Sequence, residues 1–131
     1  MTENEKQQLI NYRMSRVDET LKEVEFLIDN GLYNTAINRL YYACFYAVTS
    51  LLVKHEIKAH KHAGVRQMFG LHFVSKGVID KTLARFYTDL YDKRQTSDYD
   101  DFIDFDKEDV LTLIPTAKEL INEIRKLLER E

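Results

Sequence analysis

Four glycines and one proline are all that this chain of 131 residues has for sharp reversals. Sandwiches, barrels and doubly wound sheets need such residues at most corners, so a chain this poor in them folds as long helices joined by few turns. The apolar residues agree. Ile10, Met14, Val17, Leu21, Val24 and Ile28 step by four and three along one seam, which is the period of an amphipathic helix. That seam predicts a first helix over 4–29, stopped by Gly31. Asn34 is placed to cap a second helix over 34–55. There Ala36, Leu40, Ala43, Ala47 and Leu51 share one side, and Ile37, Tyr41, Phe45, Val48 and Leu52 fill much of the rest. A helix apolar on most sides belongs at the centre of a bundle.

After the polar, basic stretch HEIKAHK at 55–61, the spacing of Val65, Met68, Phe69, His72 and Phe73 predicts a short helix over 62–75, ended at Lys76-Gly77. Asp80 opens the next, over 80–95, with Leu83, Phe86 and Leu90 inward. Val110, Ile114, Ala117, Ile121, Ile124 and Leu128 mark a last helix over 106–130, capped by Asp106 and either kinked at Pro115 or begun near Thr112. Between Asp98 and Asp109 stand seven acids against the single Lys107, a charge density that reads as a loop. The expected fold is one all-α domain over 1–131: an antiparallel up-and-down four-helix bundle with an additional short helix.

Charge narrows the function. With 19 basic and 22 acidic residues and a net charge of −3, the chain has no global attraction for phosphate, so any nucleic-acid contact must come from a local patch. The N-terminus MTENEKQQLI lacks the apolar stretch of a signal peptide, and no apolar run approaches the length of a membrane span. No membrane partner is expected, and the location expected is cytoplasmic. Cys44, the only cysteine, has no partner for an internal disulfide and reads as a buried thiol of a reducing compartment. His60 and His62 with His55, and Asp98 with Asp100 and Asp101, lack the spacing of zinc or calcium ligands. Neither a metal nor a cofactor is expected.

Three stretches carry a family resemblance. Asn34-Thr35-Ala36-Ile37-Asn38-Arg39-Leu40-Tyr41-Tyr42-Ala43-Cys44-Phe45 resembles the second helix of HEPN domains; His62-Ala63-Gly64-Val65 with Phe69 resembles their small third-helix motif; and Arg94-Gln95-Thr96-Ser97-Asp98-Tyr99 resembles the signature that closes the fourth helix. The likeness covers roughly residues 8–129. It implies a helical bundle, commonly a homodimer, often encoded beside a minimal nucleotidyltransferase as a toxin–antitoxin pair. Some members are metal-independent ribonucleases.

The nuclease-active members carry an arginine, a polar residue and then a histidine four to six positions after the arginine, pooled from two protomers in a cleft. Arg94 and Gln95 match the first part, but no histidine follows His72, and Tyr99 stands five residues after Arg94. A phenol with a pKa of about 10 is a poor base near neutrality. The reading preferred from sequence is therefore a dimer, weakly catalytic or not catalytic, whose cleft around Arg94, Asp98 and Tyr99 binds nucleotide, RNA or a partner nucleotidyltransferase. In some such pairs the partner transfers a nucleotide onto a tyrosine in this region, where Tyr99 is the candidate. Arg39, Tyr42 and Tyr46 share a stripe of the second helix. They read either as a nucleotide or RNA surface or as a network tying that helix to its neighbours. The alternatives are an active ribonuclease using His62, brought to Arg94 from the other protomer, as its base, and a purely structural dimerisation module in which Arg94 pairs with Asp98.

Overall fold

A computed structural model describes residues 1–130. Helix α1 spans Glu3–Asp29, α2 Tyr33–Lys54, α3 His62–Phe69, α4 Lys81–Tyr99, α5 Lys107–Leu111 and α6 Ile114–Glu129; a π-helical turn, Gly70–Val74, continues α3. Among the described residues there is no strand. The apolar seams assemble as expected, with α2 packed against α1, α4 and α6. Ile37, Leu40, Ala43, Cys44, Ala47 and Leu51 of α2 are fully buried, facing a core that includes Val17, Leu90, Leu120 and Ile124 from the other helices. By length and composition α2 could cross a membrane, but most of that stretch lies inside the bundle. Its hydrophobicity is that of a core helix.

Cross-helix contacts set the directions. Asn38 meets Asp98 and Tyr41 meets Tyr87, so α4 runs antiparallel to α2. Arg125 meets Asp18 near the middle of α1, and Lys54 at the end of α2 reaches the carbonyls of Leu127 and Leu128 at the end of α6. The long helices therefore alternate down the bundle, and α3 with its π-turn crosses one side.

Local chemistry explains the ends and corrects three expectations. Thr2 and Glu5 form a capping box at the start of α1, Gly31 takes the positive φ (+72°) that follows it, and Asp80 caps α4 by accepting from Thr82 N at 2.7 Å. Asn34 does not cap α2. It lies inside the first turn, where its amide donates to Ile103 O at 3.1 Å and accepts from Phe105 N at 2.9 Å, which pins the α4–α5 connection to the start of α2. Helix α4 runs on to Tyr99, because Asp98 faces inward to Arg94 and Asn38 and so belongs to the helix. The loop starts only at Asp100. The last helix is two helices: a capping box of Asp106 and Asp109 begins α5, which stops at Leu111, the residue whose carbonyl the Pro115 ring would strike in a continuous helix. Pro115 then sits in the first turn of α6, where no N–H is needed.

Candidate functional site

Tyr87, Tyr91, Arg94 and Asp98 step by four, three and four residues, so they share one face of α4. That face meets the first half of α2. Arg94 is only 9% exposed. Its guanidinium carbon lies 5.6, 5.3 and 5.9 Å from the ring centroids of Tyr41, Tyr42 and Tyr91, within cation–π range of all three. Arg94 Nε is 3.3 Å from Asp98 Oδ2 but makes no aligned hydrogen bond. The same Asp98 oxygen accepts from Asn38 Nδ2 at 2.8 Å. Arginine, carboxylate and amide thus clamp the end of α4 to the start of α2.

The network continues on both sides. The Arg39 guanidinium lies 5.4 Å from the Tyr42 ring and its Nε is 3.4 Å from Glu23 of α1, so two cations share one tyrosine. Arg16 of α1 packs 5.7 Å from the Tyr46 ring. Arg39, Tyr42 and Tyr46 therefore engage partners within the chain and link α1 to α4. On the other flank, Arg66 of α3 lies 5.5 Å from the Tyr91 ring, and Gln95 Nε2 donates to Tyr91 Oη at 3.1 Å.

His62, the first residue of α3, joins this cluster in the same protomer. Its ring centre lies 4.6 Å from that of Phe45, the planes tilted by 39°, and its Nδ1 is hydrogen-bonded to Tyr41 Oη at 2.7 Å. The Tyr41 hydroxyl stands 3.5 Å from that of Tyr87. Burial, and then the charge of Arg94, hold the His62 imidazole below its ordinary pKa, so it is neutral at pH 7. Burial pushes the Tyr41 phenol up to about 12, which keeps it protonated. The cluster therefore holds a neutral imidazole and a guanidinium around shared tyrosines, with one imidazole nitrogen already engaged.

Tyr99 stands apart. Five helical residues place it about 140° around α4 from Arg94, and it is 70% exposed. It shares solvent with the loop that follows, where Ile103 is exposed and Phe102 is fully so. Phe102 also has a positive φ (+65°), a conformation that costs a residue with a Cβ on the order of 1 kcal/mol and persists only where its surroundings enforce it. The chain that follows is held by Asn34, which bonds to Ile103 O and Phe105 N. Acids surround these apolar groups. Such a surface repels phosphate and suits the apolar and basic groups of a protein.

Cys44 is fully buried and burial pushes its thiol up to about 12, so it is an inert core residue. Among the described residues no three His, Cys, Asp or Glu side chains converge as metal ligands would. Sequence reasoning missed Asn38, Tyr91 and Arg66 as members of the cluster, and assigned Tyr41 to the core alone. The four–three–four spacing that ends in Arg94 and Asp98 carried the signal for Tyr87 and Tyr91. Nothing in the spacing marks Arg66, which reaches Tyr91 from another helix.

Comparison with known proteins places these residues in context. The family model described as HEPN domain matches residues 10–127. A UPF0332 protein of Thermotoga maritima is 36% identical, the match covering 96% of each chain. Two proteins of Methanocaldococcus jannaschii are similar as well: "Putative toxin MJ0142", 33% identical over 88% of this chain and 78% of its own length, and "Putative toxin MJ0605", 36% identical over 86% and 83%.

Proposed function

The chain belongs to the HEPN family, and from that premise we propose that it is the HEPN member of a toxin–antitoxin module that works by docking a protein rather than by cutting RNA. In this reading it is a homodimer, and the α4–α5 end of each protomer receives a minimal nucleotidyltransferase. One observation carries the reading: the arginine that a nuclease would aim at phosphate is enclosed by three tyrosines and Asp98, while beside it Tyr99, Phe102 and Ile103 stand exposed among carboxylates. The "Putative toxin" names of the two archaeal relatives support the module. A partner enzyme that modified Tyr99 would find its hydroxyl already in solvent. For the dimer, Tyr12 and Phe26 are exposed on one face of α1, about four turns apart. They offer a contact surface for a second copy. Light scattering on the purified protein is expected to give twice the 15.5 kDa chain mass. A 15.5 kDa particle at high concentration would remove the dimer from this reading.

A second reading has its own support. His62 is neutral and shares Tyr41 and Tyr42 with Arg94 inside one protomer, so a base and a cation sit close together without help from another chain. Against it, the imidazole is tied to Tyr41 and the guanidinium is covered. Single-stranded RNA incubated with the purified protein is expected to stay intact at enzyme excess. Turnover abolished by His62→Ala and by Arg94→Lys, in variants that melt as folded proteins, would put the ribonuclease reading first.

A further inference from the structure

A cavity of about 300 Å³ lies between the first half of α1 and the end of α2, and its lining shares no residue with the Arg94 cluster. The way α2 stops creates it. Glu56 N donates to Val53 O at 3.0 Å and Ile57 N to Leu52 O at 2.9 Å, while Glu56 takes a positive φ of +56°. Those two bonds reverse the chain. Residues 56–60 then form one wall of the cavity, and Leu9, Leu52, Val53, Ile57 and Ala59 give it an aliphatic lining. Leu52 is buried and the other four are half-buried, so the lining stays within reach of solvent.

Arg13 stands one turn after Leu9 on α1 and enters the same lining. No described carboxylate lies within ion-pair distance of it. Arg16, Arg39, Arg66 and Arg94, half-buried or buried like it, each face a carboxylate, an aromatic ring or both. Arg13 faces neither. Burial alone holds its guanidinium below the ordinary pKa, with no facing charge to restore it.

An aliphatic cavity with one unpartnered guanidinium suits a ligand with one carboxylate and an aliphatic tail, since the planar fork accepts both oxygens and the tail covers the lining. The lining selects further. No Phe, Tyr or Trp belongs to it, so a nucleobase has no such ring to stack on, and Glu56 on the same wall opposes a second negative charge. We infer that this cavity binds a short aliphatic monocarboxylate of about six to ten carbons, its carboxylate on Arg13 and its chain against Leu9, Leu52, Val53 and Ile57. Lys58, exposed on the wall beside Ile57, adds attraction for the incoming anion. The inference is independent of the docking role of the α4–α5 end.

Calorimetric titration of the full chain with sodium octanoate tests it, with butanoate, hexanoate and octan-1-ol as further arms. Octanoate is expected to saturate one site per chain with a Kd near or below about 1 mM. Affinity should rise about tenfold for every two CH2 groups from butanoate to octanoate, as the chain covers more of the lining. Octan-1-ol has the tail without the charge, and should bind about tenfold more weakly or worse. Arg13→Gln should lose about tenfold or more in octanoate affinity with an unchanged melting curve, because the guanidinium has no carboxylate in the chain to abandon. Arg13→Lys should fall between, and Arg85→Gln, which removes an exposed cation of α4, should bind as wild type. The methyl resonances of Leu9, Leu52, Val53 and Ile57 should shift on saturation. No saturable binding of octanoate by about 10 mM, octan-1-ol bound as tightly as octanoate, or a folded Arg13→Gln protein that binds like wild type overturns the inference.

Discussion

Replacing Arg94 with Ala is expected to lower the stability of the bundle by about 2–4 kcal/mol, among the larger effects a single substitution can have. The substitution removes a cation from the faces of Tyr41, Tyr42 and Tyr91, contacts worth roughly 0.5–2 kcal/mol each when shielded from water but not additive around one group. It also takes a cation from beside the Asp98 carboxylate, which keeps its hydrogen bonds from Asn38 Nδ2 and Ser97 Oγ. For a chain of this length the melting temperature should fall by roughly 10 °C. Arg94→Lys keeps the charge but loses the flat guanidinium that fits between rings, so it should fall partway. Thermal unfolding followed by circular dichroism reads both. A shift under about 2 °C for Arg94→Ala would mean that the guanidinium is free to serve a ligand, and the enclosed anchor described above would be wrong.

The sequence made the helices legible because each seam repeats over several turns, and periodicity accumulates with length. Val17 and Val24 in α1 and Ile121 and Ile124 in α6 land in the core as their spacing requires. Termini were less legible because they depend on contacts from elsewhere. Asn34 has the chemistry of a cap, yet its amide serves the α4–α5 connection some seventy residues on. Asp98 looked like the first of a run of solvated acids, and only the approach of Asn38 and Arg94 draws it into the helix. The π-turn gave no sequence signal: Gly70, at φ −60°, is an ordinary helical residue in the fold.

The candidate site was half legible. Arg94, Asp98 and His62 could be singled out from motif and chemistry. Their grouping could not, since His62 lies on a separate helix and enters the cluster in the same protomer rather than from a second one. Tyr99 shows the reverse. Proximity in sequence suggested that it shares a cleft with Arg94, but a separation of five residues turns it to another side of the helix. There it stands with Phe102. Carboxylates and exposed aromatics gather at the α4–α5 end. That end is the one proposed above to dock a protein partner.

Titration of a minimal nucleotidyltransferase, the partner class proposed above, into the purified protein tests docking at the α4–α5 end most directly. The wild-type protein is expected to bind it saturably, and the double variant Tyr99→Ser, Phe102→Asp to lose about 30-fold or more in affinity, because exposed aromatic anchors concentrate interface energy and a carboxylate cannot replace one. Both side chains lie in solvent, so the melting temperature of the variant should stay within about 2 °C of wild type or rise as the bulky ring leaves a strained position. The same affinity in the variant as in the wild type, with both proteins folded, would contradict docking at this end.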